Sequence, residues 1–112
     1  MKRIEAVIPE GRLRKTFDGL KQLDLGGFTY YEAKGRGQVP ITQVHTGRGT
    51  ARYTPSFNVN AMIVVVVKDS LVNDVIENIL NSSSTGLAGE GKIFVSDVDD
   101  AVDIGSKSRG DI

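Results

Sequence analysis

The feature that most constrains the fold is an unbroken apolar run at residues 61–67, which ends in four consecutive valines. β-Branched side chains of this kind favour strands. The run does not alternate with polar residues, so we expect a strand whose two faces are both covered. It is far too short to cross a bilayer, which takes about 20 residues. The chain therefore needs a sheet with helices on one face and another cover on the opposite face.

The segments around this run repeat the order strand, helix, strand. Hydrophobic spacing predicts strands at 3–8, 28–34, 60–67 and 92–98, a helix at 10–24, and a second helix capped by Asp69 or Ser70. The second helix carries an apolar stripe formed by Leu71, Val72, Val75, Ile76, Ile79 and Leu80. Two such units with right-handed crossovers predict an α+β, ferredoxin-like βαββαβ fold. Both helices then lie on one sheet face, and self-association into a closed ring would cover the other.

Two segments stand outside this pattern. Residues 35–57 contain scattered glycines, two prolines and no sustained period, which predicts a long functional loop. Residues 99–112 begin acidic and become rich in glycine and serine, which predicts a tail that orders only on contact. The single domain is therefore expected at residues 1–98.

Composition excludes several classes of function. The 112 residues carry 14 basic and 14 acidic side chains, and this balance argues against a nucleic-acid-binding protein. With no cysteine and one histidine, neither a disulfide framework nor a structural zinc site is expected. The first residues are charged and lack a long apolar segment, so we expect no signal peptide and a cytoplasmic location.

A glycine-rich turn follows the second predicted helix. Gly86, Gly89 and Gly91 lie within six residues and are followed directly by Lys92. Backbone N–H groups in such a turn can point together at an anion, and the ammonium adds a charge beside them. The spacing matches neither a dinucleotide fingerprint nor a complete P-loop. A helix end followed by a mobile loop therefore remains an alternative interpretation.

Three segments of the chain, residues 1–8, 27–37 and 85–95, resemble the PII signal-transduction family. Members of that family are small homotrimeric ferredoxin-like regulators. The resemblance implies a T-loop at 35–57 and a B-loop at 84–92. It also implies an adenine nucleotide in each cleft between subunits, and a T-loop that docks on a membrane transporter or a metabolic enzyme.

The resemblance also implies the site residues. The nucleotide-binding set is Gly27, Thr29, Gly35, Arg36, Gly37, Gln38, Val64, Val66, Gly89, Glu90, Gly91 and Lys92. The partner-binding set on the T-loop is His45, Arg48, Arg52 and Tyr53. No catalytic residue and no metal site are implied.

Departures from the family pattern suggest which ligands bind. Asp103 and Gly105 stand where the family usually has two phosphate-binding arginines, and Leu87 replaces a basic residue. ADP or AMP is therefore expected rather than ATP, unless Arg36, Arg48, Lys107 or Arg109 supplies the missing charge. Val39 and Asn60 replace residues that help to bind Mg²⁺ and 2-oxoglutarate, so 2-oxoglutarate is doubtful and a small anion such as bicarbonate is a candidate.

The resulting prediction is a PII-like regulator that binds ADP or AMP and acts in inorganic-carbon metabolism. The alternative is a nitrogen-regulatory PII protein that responds to ATP and 2-oxoglutarate and controls ammonium transport. An enzyme is not expected, because the sequence shows no nucleophile paired with a base and no metal-ligand set. A purely structural trimer that binds no nucleotide is a third class.

The loop residues also have ordinary interpretations. Tyr53 lies near the position of the family's modified tyrosine, but an exposed aromatic that contacts a partner is the preferred interpretation. His45 is a lone polar loop residue. Arg36, Arg48 and Arg52 fit a solvated loop as well as they fit a phosphate clamp.

Overall fold

A computed structural model of the chain describes residues 1–36, 44–45, 52–53, 57–86 and 91–110. The strands are β1 (Lys2–Pro9), β2 (Thr29–Gly35), β3 (Val44–His45), β4 (Arg52–Tyr53), β5 (Asn58–Val67) and β6 (Lys92–Asp97). The helices are α1 (Leu13–Leu20) and α2 (Val72–Ser83), and each follows a short 3₁₀ turn, Glu10–Arg12 and Asp69–Leu71. Neither α-helix in this described part of the chain is long and apolar enough to cross a membrane.

Four strands form one antiparallel sheet in the order β2-β5-β1-β6. One row across it runs from Thr29 to Val64, then to Glu5 and Phe94. The predicted α+β, ferredoxin-like arrangement is confirmed, with each half of the chain contributing one central strand and one edge strand.

The core lies between the sheet and the two helices. The residues Ile4, Ala6 and Ile8 of β1 and their counterparts at the centre of β5 face the helices and are buried, and they pack with Leu20, Val75 and Ile79. On β5 they are the odd-numbered positions from Ala61 to Val67. The even-numbered positions between them are only half-buried, so within one chain the apolar run is covered on one face.

The first helix is shorter than predicted. The spacing predicts a helix at 10–24, but α1 ends at Leu20. The chain continues in tight turns, in which the Leu23 N–H donates to the Leu20 carbonyl at 3.1 Å and the Leu25 N–H to the Leu23 carbonyl at 2.9 Å. These turns keep Leu23 and Leu25 packed against the core, so the apolar contacts continue beyond the end of the helix.

The predicted cap of the second helix is wrong. Leu71 occupies the N-cap position of α2, and no side-chain hydrogen bond caps this helix within the described residues 57–86. The Asp69 carboxylate instead pairs with the N-terminal ammonium of Met1 at 3.0 Å. The Asp69 carboxylate thus forms an ion pair with a distant part of the chain and does not cap the helix.

The long loop and the tail both contain local structure. Within residues 35–57, β3 and β4 pair antiparallel. Val44 lies opposite Tyr53, and His45 lies opposite Arg52. The described part of the tail, 99–110, forms a turn closed by a bridge between Val102 and Arg109. The predicted loop at 35–57 therefore contains a short strand pair, and its functional role stays a prediction.

An ion pair between the edge strand and β1 gives a testable pH dependence. The Lys2 ammonium hydrogen-bonds the Asp97 carboxylate, which lowers the pKa of Asp97 and raises the pKa of Lys2. The pair therefore stabilises the fold above about pH 4 and below about pH 10, and it loses this effect as pH falls through the lowered carboxyl pKa.

We expect Asp97→Asn to lower the melting temperature near neutral pH, and the difference from wild type to shrink as pH falls from about 5 to about 3. The matched control is Asp99→Asn, which removes the same charge from a residue in none of the ion pairs found among the described residues. Thermal unfolding across this pH range measures the effect. A difference between the two variants that did not change with pH would contradict the assignment.

Candidate functional site

The predicted phosphate-binding turn is described at its two ends. At the helix end, the Ser84 N–H donates to the Leu80 carbonyl at 3.0 Å, and the Gly86 N–H donates to the Ser84 hydroxyl at 3.2 Å. Gly86 has φ +83°, a conformation that side chains other than glycine rarely adopt. Gly89 and Glu90 lie outside the described residues, so the cradle of backbone N–H groups remains a prediction.

Gly91 is required by the fold itself. A Cβ built on Gly91 would lie 2.2 Å from the carbonyl oxygen of Val7 and 3.3 Å from the Val7 carbonyl carbon. The chain thus passes directly against the backbone of β1 as it enters β6. This packing alone accounts for glycine at position 91, so a contact with phosphate would be a second, separate role.

Lys92 begins β6 and is exposed. It pairs with Val7 of β1, in the row that continues to Met62 of β5 and Tyr31 of β2. That row belongs to the sheet face opposite the helices, because the helix-facing residues of β1 and β5 are the alternate ones. The ammonium is therefore available on that face, near the predicted turn.

A second group of predicted nucleotide residues lies at the opposite edge of the sheet, on β2 and the neighbouring β5. Thr29 begins the edge strand β2 and pairs directly with Val64 of β5, and Val66 lies two residues further along the same face. Gly27 precedes this strand by two residues. Four of the predicted residues are therefore close together in one chain.

The base of the long loop forms a third group. Gly35 ends β2 opposite Asn58. A Cβ built on Gly35 would lie 3.3 Å from the side-chain nitrogen of Asn60, so this amide packs beside the glycine where the chain enters the loop. Arg36 follows and is exposed. Gly37 and Gln38 lie outside the described residues.

These groups are too far apart to form one site within a single chain. Thr29 and Gly35 are six residues apart on one strand, or about 20 Å at the rise of an extended chain. Lys92 lies on the other edge strand, three strand spacings or about 14 Å across the sheet. A nucleotide that touches all of them needs residues from two copies of the chain.

The predicted partner-binding residues are placed only in part. His45 belongs to β3, and Arg52 and Tyr53 form β4. The antiparallel pairing brings His45 opposite Arg52. Arg48 lies outside the described residues.

The C-terminal turn explains the acidic residue at one of the positions where the family usually has arginine. The Asp103 carboxylate accepts the Ser106 N–H at 2.7 Å, and this hydrogen bond lowers the pKa of Asp103. Arg109 lies across the turn and donates to the Asp100 carboxylate at 3.0 Å. Sequence reasoning missed this turn, although an aspartate three residues before Ser106, with glycine between them, is a recognisable turn signal.

The sheet face opposite the helices, here called the open face, is largely apolar, although Arg3 and Glu5 of β1 also lie on it. Tyr31 is 47% exposed and Phe94 is 53% exposed, and Val7, Met62 and Val64 lie half-buried between them. An apolar area that spans all four strands is larger than the scattered exposed side chains of an ordinary monomer surface. These side chains stay partly exposed in the described part of the chain, so burial against another surface would be favourable.

A separate cavity of about 340 Å³ lies between α2 and β6, on the helix side of the sheet. Its lining is mainly aliphatic, and Ser83, Ser84, Gly91 and Lys92 border it next to the predicted phosphate turn. Such a lining suits an apolar group better than a phosphate. Within the described residues no group of three or more His, Cys, Asp or Glu could hold a metal ion.

Comparison with known proteins identifies the relatives of this chain. Residues 1–108 match the model of the family described as Nitrogen regulatory protein P-II. Proteins of that name from Rhodospirillum rubrum and Azospirillum brasilense are 38% and 39% identical, over 98% of this chain and 96% of each relative. A protein named Nitrogen fixation nifHD region GlnB-like protein 2, from Methanothermobacter marburgensis, is 36% identical over 98% of this chain and 97% of its own length.

Proposed function

The chain belongs to the family of nitrogen regulatory proteins P-II, and from this premise we propose that it is a signalling protein controlled by an adenine nucleotide. The nucleotide lies in a cleft between subunits of a homotrimer. The loop at 35–57 transmits the state of that cleft to a partner protein.

The separation of the implied nucleotide residues carries this proposal. Thr29 and Gly35 lie about 20 Å apart along the edge strand β2, and Lys92 lies on the opposite edge strand β6, about 14 Å across the sheet. Only association of copies can bring these groups to one ligand. The apolar open face supports such association, since a closed ring would remove it from water.

The names of the relatives favour nitrogen regulation over inorganic-carbon metabolism. We therefore take the nitrogen-regulatory function, with ATP and 2-oxoglutarate as effectors and ammonium transport as the regulated process, as the first candidate. The second candidate is ADP or AMP with a small anion such as bicarbonate. It is favoured by Asn60, whose amide packs beside Gly35, and by the acidic Asp103 at a position where the family usually has arginine.

The partner is a membrane transporter or a metabolic enzyme, and the protein acts in the cytoplasm as a regulator rather than an enzyme. The paired strands β3 and β4 support an arm that can present His45, Arg52 and Tyr53 to this partner. The nucleotide can switch the arm only if it binds the arm's conformations with different affinities.

Calorimetric titration of the purified protein with AMP, ADP and ATP, each with and without Mg²⁺, 2-oxoglutarate and bicarbonate, tests the proposal. ATP affinity that rises at least about tenfold with 2-oxoglutarate, a coupling of about 1.4 kcal/mol, would support the first candidate. Tighter binding of ADP or AMP in bicarbonate would support the second. Absence of binding by all three nucleotides would contradict the proposed nucleotide control.

A further inference from the structure

One end of the sheet carries exposed apolar side chains that the helices do not cover. This end, here called the loop end, is where β2 ends and β5 begins, at the base of the long loop. Phe57 is 52% exposed and Val59 is 41% exposed, whereas the helix-facing residues of β5 from Ala61 onwards are buried. Val59 lies on the same face as those buried residues, because side chains alternate along a strand. The helix layer therefore ends before it reaches these two side chains.

Basic side chains lie beside this apolar pair. Lys34 pairs directly with Val59, so their Cβ atoms share one face of the sheet about 5 Å apart. The 3₁₀ turn that ends at Arg12 packs against β5, and Arg14 and Lys15 follow in the first turn of α1. Arg14, Lys15 and Lys34 are exposed, and none of the ion pairs found among the described residues includes them.

The chain is electrically polarised, although its formal net charge is zero. Two acidic residues, Glu10 and Glu32, also lie at the loop end, so its basic residues are in excess. The long loop that starts there, 35–57, adds three arginines and no acidic residue. At the opposite end β6 stops at Asp97, and two further aspartates follow within three residues. An anionic surface would therefore attract the loop end and repel the other.

We propose that the loop end docks on the anionic surface of a lipid bilayer. Arg14, Lys15 and Lys34 lie among the headgroups, as basic residues do at anionic membranes. Phe57 and Val59 enter the boundary between headgroups and acyl chains, where exposed aromatic and aliphatic side chains leave water.

The exposed apolar pair favours a membrane over a nucleic acid as the partner. Contacts with a phosphate backbone would use the cations but would leave Phe57 and Val59 in water. This inference goes beyond the proposed nucleotide control. It agrees with a transporter as partner, because a transporter would place the loop end beside a bilayer.

Sedimentation with lipid vesicles, in the absence of nucleotide, tests the proposal. One set of vesicles contains phosphatidylcholine alone, and the other an equal mixture of phosphatidylcholine and anionic phosphatidylglycerol. The test variant is Arg14→Gln/Lys34→Gln. The matched control is Lys21→Gln/Lys68→Gln, which removes the same charge from two exposed residues towards the opposite end. Circular dichroism confirms that both variants fold.

We expect the natural chain to bind the mixed vesicles at least tenfold more tightly than phosphatidylcholine alone. The test variant should lose at least tenfold in affinity, because each basic residue at an anionic membrane raises it about fivefold, and the control should lose little. Equal binding to both vesicles, or equal losses in the two variants, would overturn the proposal. Binding to a duplex DNA fragment but not to vesicles would also overturn it and indicate a nucleic-acid surface.

Tryptophan fluorescence tests the apolar part of the contact, because the natural chain has no tryptophan. The reporter is Phe57→Trp, and the control is Tyr30→Trp, since Tyr30 is 50% exposed but lies at the other end of β2. We expect mixed vesicles to shift the emission of the Phe57→Trp protein to shorter wavelength and to leave the control unchanged. A shift in both proteins, or in neither, would contradict docking through the loop end. Neither measurement needs a nucleotide, so failure here is distinguishable from failure of the proposed nucleotide control.

Discussion

Replacing Gly91 by alanine is expected to destabilise the protein by about 3 kcal/mol or more. The added methyl group would lie 2.2 Å from the Val7 carbonyl oxygen. Val7 belongs to β1, a central strand that pairs with β5 on one side and β6 on the other, so its backbone cannot move without disturbing both ladders. For a domain of this size, such a loss lowers the melting temperature by more than about 10 °C.

Thermal or urea unfolding without nucleotide measures this effect, so that lost ligand binding does not contribute. Gly11→Ala is the control, because a Cβ at Gly11 meets nothing within 4 Å. It should stay within about 0.5 kcal/mol of wild type. If Gly91→Ala unfolded like Gly11→Ala, close packing against β1 would not explain the glycine, and a role in the phosphate turn alone would remain.

Replacing Lys92 by alanine is expected to weaken ADP binding about 10- to 100-fold. A hydrogen bond to a charged group contributes about 1.5–3 kcal/mol, and each 1.4 kcal/mol is a tenfold change in affinity. Lys92 is exposed at the start of β6, directly after the predicted phosphate turn, and it can reach a ligand on the open face. Adenosine carries no phosphate, so its affinity should stay unchanged.

Calorimetric titration of both ligands against Lys92→Ala and a control, Lys15→Ala, separates a local contact from a change in net charge. Lys15 is exposed on α1, on the other side of the sheet from the open face. Equal loss of ADP affinity in the two variants would indicate a general charge effect. Unchanged ADP affinity in Lys92→Ala would remove this residue from the phosphate site.

The strands were predictable because their patterns are local. Predicted and observed ends differ by at most two residues, as for the strand predicted at 60–67 that runs from Asn58 to Val67. The ends of the helices were less predictable. α1 stops at Leu20 although its apolar stripe continues, because tight turns can keep Leu23 and Leu25 on the core as well as a helix can. The short pairing of β3 with β4 carries no periodic signal, since two residues cannot show a period.

The family was predictable from the sequence, whereas the relative positions of the candidate site residues were not. The residues at 27–37 and 85–95 identify the family, and the matching family model now supports that identification. Their separation to opposite edges of the sheet depends on strand order, which no single segment encodes. The same holds for Gly91, whose need for close packing against Val7 arises between segments far apart in sequence.

The sequence by itself determined the family, the order of strands and helices, and the apolar character of β5, because each of these depends on neighbouring residues. Only the tertiary structure decided that the even-numbered side of β5 lies on the open face, that Leu80 stays half in water, and that Ile104 stands exposed on a hydrogen-bonded turn. The physical reason is that burial is a relation between segments. A hydrophobic pattern indicates that burying a surface is favourable. The packing of the whole chain determines which of these surfaces are buried within the chain and which remain exposed.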